Sequence, residues 1–206
     1  MDEKPFNPLK SNSDVLFVFD YQREQETGNR KQNISIPYFT FPIPLNKYKN
    51  ITLIAFSYGV FMAAYLKDIL PKCDIKIAVN GTLSPVHEEF GIPQKIFTLT
   101  LENMTELTAL KFREKLFADK NELATFNKNL PNRDMESSKN ELAALKKYFE
   151  KCVDFEYDKV LIGENDRIIP TKNQKNFWLN HSNCKISDGG HFLFYKFNDF
   201  DEIINL

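Results

Sequence analysis

The sequence predicts an α/β fold with a mostly parallel sheet and helices on both faces. Short apolar runs rich in β-branched and aromatic residues occur at positions 15–19, 51–56, 75–80 and 159–163, and such runs are typical of strands that are covered on both sides. Segments of helical composition or spacing separate the last three runs. Strands that alternate with helices join into a parallel sheet through right-handed crossovers.

The first half of the chain is predicted as strand, connection, strand, helix and strand. Residues 22–48 are polar and then interrupted by prolines, which favours a surface connection over a helix. Residues 60–70 have helix-forming composition, and Pro71 ends that helix. The run at 75–80 then completes a strand, helix, strand unit.

The second half is predicted to begin with a helical insertion at about residues 101–151. This stretch is charged, contains no glycine and carries apolar residues at helical spacing. After the strand at 159–163 we expect a helix over 171–179, a short strand near 184–186 and a helix after 198. The length of 206 residues fits one domain, with the insertion as part of it.

Composition excludes several classes of function. The 27 Lys and Arg residues nearly balance 28 Asp and Glu, so we expect no nucleic acid or membrane partner. The apolar runs are too short to span a bilayer, and the first residues do not resemble a secretory signal, which predicts a cytoplasmic protein. The three cysteines form no C-x-x-C pair, so neither a disulfide framework nor a metal site is expected, and we expect no cofactor.

Ser57 is the candidate nucleophile. It lies in Ala-Phe-Ser-Tyr-Gly at residues 55–59, between a predicted strand and a predicted helix. A sharp strand-to-helix turn with small flanking residues projects a serine hydroxyl into a cleft, as acyl transfer requires. A structural serine in a tight turn is the alternative, because the five-residue motif is weak by itself.

Asp166 and His191 are the candidate acid and base. Hydrolases with a strand-turn-helix nucleophile supply these residues in the order Ser, Asp, His. Asp166 follows the predicted strand at 159–163, and His191 follows the last strand in a Gly-rich turn. All three residues would then lie at the carboxyl ends of parallel strands, where such sheets form their sites. Glu164 could replace Asp166 as the acid, and a helix N-cap is another role for Asp166.

Several segments resemble the BioG family of pimeloyl-acyl-carrier-protein methyl ester carboxylesterases, which are small α/β-hydrolases of biotin synthesis with an inserted lid. The similarity covers nearly the whole chain from residue 14. The matching segments are DYQ at 20–22, AFSYGV at 55–60, VNGT at 79–82, FGIP at 90–93, TLENMT at 100–105 and LKFR at 110–113.

The resemblance implies a role for each candidate. Ser57 would attack the methyl ester carbonyl, His191 would carry the proton to methanol, and Asp166 would orient His191. The N–H of Tyr58 would be an oxyanion donor, and Phe56 and Tyr58 would contact the substrate. The implied partner is an acidic acyl carrier protein bearing a pimeloyl methyl ester.

A local cationic group on the expected insertion could meet that carrier. Its members are Lys111, Arg113, Lys115 and Lys120. A solvated helix face is the alternative explanation for these charges.

Family members begin with a strand and an oxyanion loop of the Phe-x-Gly-Trp or Phe-Ser-Gly-Phe kind. This sequence has no such segment before residue 15, so we expect that strand and loop to be missing. Three explanations stay open: the start is misassigned, the chain is truncated, or residues 20–22 compensate. Loss of one oxyanion donor costs about 10²–10³ in rate. The missing segment leaves open a truncated, weakly active or inactive hydrolase-like protein. A serine hydrolase acting on another ester or thioester is a second alternative, because nothing in the triad specifies a methyl pimeloyl substrate.

Overall fold

The computed structural model describes residues 1–19 and 45–206, and its centre is a four-stranded sheet in which every strand is parallel to its neighbour. The spatial order is the order along the chain, β1-β2-β3-β4. The strands are β1 (Thr52–Phe56), β2 (Ile75–Val79), β3 (Lys159–Gly163) and β4 (Cys184–Ser187).

Seven α-helices accompany the sheet within the described residues. Their bounds are α1 (Tyr58–Tyr65), α2 (Gln94–Glu102), α3 (Glu106–Lys115), α4 (Lys120–Lys128), α5 (Met135–Lys146), α6 (Thr171–Phe177) and α7 (Phe200–Ile204). Helix α1 follows β1, α6 follows β3 and α7 follows β4, whereas α2 to α5 all lie between β2 and β3. None of the helices in the described ranges is long and apolar enough to cross a membrane.

The two central strands send alternate side chains into separate cores. Ile77 of β2 and Leu161 of β3 pack with residues of α4 and α7 on one face, and Ala78 and Ile162 pack with residues of α1 on the other. Successive side chains of a strand point to opposite faces. A strand segment buried on both faces must therefore be apolar, which explains the unbroken apolar runs at 77–79 and 160–162. Lys76 and Lys159 lie at the less buried starts of the two strands.

The prediction of a strand at residues 15–19 is wrong. These residues form no strand or ladder with any described residue, and Val15 and Val18 are exposed. Phe17 instead places its ring 5.2 Å from that of Phe6 and 6.2 Å from that of Phe200. The apolar run contributes to the core through this aromatic cluster without backbone pairing. Most of the connection predicted at 22–48 lies outside the described residues.

Helices occupy most of the stretch predicted as a helical insertion. Helix α2 begins at Gln94, before the predicted start at residue 101, and α5 ends at Lys146. The segment between α3 and α4 is fastened to the sheet end, because the N–H of Phe192 donates to the main-chain oxygen of Leu116 at 2.9 Å. Arg167 also donates to the main-chain oxygens of Glu114 and Phe117. The helical segment therefore contacts the loops that follow β3 and β4.

Candidate active site

Ser57 occupies the sharp turn between β1 and α1. Its φ is 56° and its ψ is −125°, a conformation that costs a non-glycine residue about 1–3 kcal/mol. The N–H of Ser57 donates to the main-chain oxygen of Val79 at 2.9 Å. The main-chain oxygen of Ser57 accepts from the N–H of Val60 at 3.1 Å. These bonds hold the strained residue between β2 and the first turn of α1.

Gly81 makes the close approach to this turn possible. A Cβ atom at residue 81 would lie 2.4 Å from the main-chain oxygen of Ser57 and 2.5 Å from a methyl group of Val60. Both distances are far below ordinary van der Waals contact, so any larger residue would displace the turn. The tight packing at Ser57 therefore depends on Gly81, which is distant in sequence, as well as on the small residues Ala55 and Gly59 beside Ser57.

His191 lies between Ser57 and Asp166. Its Nε2 is 2.8 Å from Ser57 Oγ, and its Nδ1 is 2.8 Å from Asp166 Oδ2. Both His191 and Asp166 are buried, with exposed fractions of 2% and 6%. The three side chains form one continuous hydrogen-bonded series, although Ser57 and His191 are 134 positions apart in the sequence.

Asp166 is also held at its other oxygen. Its Oδ1 accepts hydrogen bonds from the N–H groups of Ile168 and Ile169 at 2.8 and 3.0 Å, while Gln174 donates to Oδ2 at 2.8 Å. Glu164, the alternative acid, is exposed, and its N–H pairs with β4. The residue placed against His191 is thus Asp166.

The other two histidines make local contacts elsewhere. His87 Nδ1 accepts from the N–H of Glu89, and its ring stacks on Phe90 at 4.6 Å. His181 Nε2 lies 2.7 Å from the main-chain oxygen of Tyr157. Only His191 among the three histidines, all of which are described, contacts Ser57.

Asn80 connects the ends of two strands to the turn that carries His191. It follows β2 with a φ of 45° and is completely buried. Its amide nitrogen donates to the main-chain oxygens of Gly190 and His191 at 3.0 and 2.7 Å, and its Oδ1 accepts from Gly163 N–H at 2.6 Å. All three polar functions of this side chain are therefore engaged in fixing the site.

Phe56 and Tyr58 flank Ser57 and line a cavity that opens beside it. The ring of Phe56 lies 5.0 Å from the His191 ring, and the ring of Tyr58 stacks on Phe149 at 5.4 Å. Burial raises the pKa of the Tyr58 phenol well above its usual range. The phenol therefore stays neutral, and both residues give the cavity an aromatic floor.

The cationic side chains predicted to meet a carrier lie along another wall of the same cavity. Lys111, Arg113 and Lys115 all line it, and none of the three forms an ion pair with another described residue. Arg113 and Lys115 also occupy the last turn of α3, where positive charge is favoured by the helix dipole. Lys120 begins α4 and is exposed.

The sequence matches the family model for pimeloyl-ACP methyl esterase BioG over residues 9–203. The chain belongs to the BioG family. It is 32% identical over 200 residues to a malonyl-[acyl-carrier protein] O-methyltransferase of Bacteroides fragilis. That match covers 93% of this chain and 37% of the relative, so the chain spans little more than a third of that relative's length.

Two solved structures have a similar architecture. The crystal structure of BioG from Haemophilus influenzae is similar with a TM-score of 0.72 and 31% identity, covering 79% of this chain and 77% of that one. An esterase from Exiguobacterium antarcticum shares the fold with a TM-score of 0.57 and 19% identity, covering 78% and 67%. The fold predicted from the sequence, an α/β-hydrolase-like sheet with helices on both faces, is confirmed.

Three residues of this BioG family member belong to the site but escaped sequence reasoning. Asn80 and Gln174 are buried amides at the site, and Arg167 fastens α3 to the loop of Asp166. Asn80 gave one usable signal, since Asn before Gly after a strand favours a positive φ. Gln174 and Arg167 gave none, because their partners are fixed only by tertiary structure. Residues 20–22, which could compensate at the oxyanion site, lie outside the described residues.

Proposed function

We propose that the chain is a serine carboxylic-ester hydrolase in which Ser57 is the nucleophile, His191 the base and Asp166 the orienting acid. The observation that supports it most is the unbroken series of contacts from Ser57 Oγ to Asp166 Oδ2, with 2.8 Å at each step. A serine hydroxyl becomes nucleophilic only when a positioned base removes its proton. The strained turn at Ser57 presents that hydroxyl to the cavity.

The reaction follows from this arrangement. The hydroxyl of Ser57 donates to His191 Nε2, while Nδ1–H donates to Asp166, so the imidazole is in the tautomer that a general base needs. Attack on the ester carbonyl transfers the proton to His191 and produces an oxyanion, which the N–H of Tyr58 stabilises. His191 returns the proton to the departing alcohol, and water releases the acid from Ser57 by the same route.

The proposed substrate is the methyl ester of pimeloyl-acyl carrier protein, with methanol as the first product. The activity of the BioG family, that of a pimeloyl-ACP methyl esterase, supports it. The cavity supports it too, because aromatic residues surround the nucleophile and cations line a wall that an acidic carrier could approach. The methyltransferase activity of the Bacteroides relative is not carried over, since the match spans 37% of that protein. The cytoplasmic location stays a prediction.

Labelling with a fluorophosphonate probe tests the nucleophile. The folded chain is expected to be modified at Ser57 and the Ser57→Ala variant to remain unlabelled, as peptide mapping would report. Failure to label Ser57 in folded protein would contradict the hydrolase mechanism and favour an inactive hydrolase-like protein. A matched control is Ser187→Ala, which removes a partly buried serine at the end of β4 and should label normally.

Substrate choice is tested by comparing kcat/KM for methyl pimeloyl-carrier protein with kcat/KM for small methyl esters and thioesters. A clear preference for the carrier-linked methyl ester supports the assignment. Equal values for all three would favour a hydrolase of another ester or thioester.

The carrier contact is tested by replacing Lys111, Arg113 and Lys115 together with alanine. KM for the carrier-linked ester should rise by a larger factor than KM for a small ester, and its dependence on salt should weaken. A control variant removes three exposed lysines on α6 and β4, outside the cavity: Lys172, Lys175 and Lys185. If both variants change KM for the carrier-linked ester equally, α3 is not the docking surface.

A further inference from the structure

Gln174 is a polar side chain enclosed by the protein on α6, next to the acid of the proposed triad. None of its surface is exposed. Its Nε2 donates to Asp166 Oδ2 at 2.8 Å and to the main-chain oxygen of Ile169 at 2.9 Å. Because His191 Nδ1 also lies 2.8 Å from Oδ2, Gln174 and His191 share one oxygen of Asp166.

The orientation of the Gln174 amide leaves one of its buried polar atoms without a hydrogen bond, which lowers the stability of the fold. With Nε2 turned to its two acceptors, the buried Oε1 atom has no hydrogen-bond partner among the described residues. A buried polar atom without a partner costs about 1–3 kcal/mol. The opposite amide orientation would bring two oxygens together at Asp166, so the observed orientation is the one that serves the carboxylate.

We infer that Gln174 is a positioning residue that fixes the carboxylate of Asp166, and through it the ring of His191. This inference rests on the proposed esterase function. The N–H groups of Ile168 and Ile169 hold Oδ1, and Gln174 holds Oδ2. With donors on both oxygens, the carboxylate group cannot rotate or tilt without breaking a hydrogen bond. Nδ1 of His191 therefore meets an acceptor whose direction is already set.

The test compares two amide-to-acid substitutions on the same helix. Gln174→Glu keeps the size of the side chain and removes the amide donors at Asp166. Asn173→Asp is the matched control, because the Asn173 amide is also buried and donates to the main-chain oxygens of Glu88 and Gly91 at 2.9 and 2.8 Å, away from the triad. Both variants lose two hydrogen bonds from α6 to neighbouring groups.

Hydrolysis of a p-nitrophenyl ester is the first measurement. We expect Gln174→Glu to lower kcat by up to about 100-fold, the scale of loss for a misplaced catalytic group, with little change in KM. Asn173→Asp should keep kcat near that of the unaltered chain, and thermal unfolding should report a similar Tm for the two variants. Equal losses of kcat would overturn the inference and show a general packing role for α6.

The dependence of kcat on pH is the second measurement, because a loss of packing on α6 alone would not alter its shape. The ionisable groups in this network are Asp166 and His191, and the charged neighbours on the same loop, Glu164 and Arg167, are exposed. A protonated glutamic acid at position 174 can donate to Asp166, but an ionised one repels it. Gln174→Glu should therefore lose activity as the pH rises, while the unaltered chain and Asn173→Asp reach a plateau.

Each outcome has one meaning. A Gln174→Glu profile that follows the unaltered chain, with equal kcat, would refute the positioning role. Failure of the unaltered chain itself to hydrolyse the ester or to react with fluorophosphonate would refute the proposed function instead, so the two failures are distinguishable.

Discussion

Replacement of Asn80 is expected to reduce stability and activity together, because its side chain joins three parts of the site. The amide makes three buried hydrogen bonds, to the main chain of Gly163, Gly190 and His191. Truncation leaves those groups buried without a partner, and each such group costs about 1–3 kcal/mol. Water can enter the vacated space and lower the cost, so we expect Asn80→Gly to reduce the free energy of unfolding by about 2–5 kcal/mol.

The backbone conformation of Asn80 separates this loss from strain. Glycine adopts a φ of 45° freely, whereas alanine in the left-handed region costs about 1–2 kcal/mol. Asn80→Ala should therefore be less stable than Asn80→Gly by about that amount. Since a domain of this kind has a total stability of about 5–15 kcal/mol, the glycine variant is the better one to measure.

Urea denaturation followed by the fluorescence of Trp178 is a suitable assay. Trp178 is the single tryptophan, it is buried, and its Nε1–H donates to the main-chain oxygen of Gly81 at 2.9 Å. It therefore reports on the same region as Asn80. A free energy of unfolding within about 0.5 kcal/mol of the unaltered chain, the usual range for a neutral surface change, would refute the reasoning for Asn80→Gly. Equal stability of the glycine and alanine variants would refute the strain estimate.

Three further predictions concern other parts of the molecule. Burial raises the pKa of Tyr195 to about 12 from 10, so its phenol stabilises the fold below pH 10 and this contribution is lost as the pH rises toward 12. The free energy of unfolding of Tyr195→Phe, measured by urea denaturation, should therefore differ from that of the unaltered chain less at pH 11 than at pH 9. Burial also raises the pKa of the Cys73 and Cys184 thiols, so iodoacetamide should modify the exposed Cys152 first, as mass spectrometry would show. Arg167→Ala should reduce the free energy of unfolding by about 1 kcal/mol by removing donors at the end of α3 and should accelerate limited proteolysis there; unchanged cleavage would show that Arg167 does not anchor the helix.

The sheet could be predicted because its buried strands are marked by composition alone. The runs at 51–56, 75–80 and 159–163 correspond to β1, β2 and β3 within one residue at each end. The run at 15–19 has the same composition but no ladder with a described residue. The apolar character of a run predicts that it is buried, whereas its backbone pairs only if another strand lies beside it. Phe17 contributes to the core through its aromatic contacts, although its backbone pairs with no described residue.

The candidate site residues could be chosen from the sequence where a local pattern marks them. Ser57 is marked by its turn, and Asp166 and His191 are marked by loops that follow strands. The structure places these residues in contact, and their catalytic role remains the proposal that labelling would test. The Asn-Gly pair at residues 80–81 indicates the backbone conformation of Asn80 but not its contacts. Gln174 has no such local pattern, because its contact with Asp166 is fixed only by tertiary structure.

The supporting amides explain how side chains from three loops can keep one geometry. Ser57 is fixed by its turn, Asp166 by donors on both oxygens, and His191 by Asn80 through its own main-chain oxygen. Two of these supports are buried polar side chains, which a purely apolar core would lack. A buried amide is costly only when its groups lack partners, and the carboxyl ends of parallel strands supply free main-chain groups to pair with. The same strand ends that border the cavity therefore also supply the hydrogen bonds that hold Ser57, Asp166 and His191 in place.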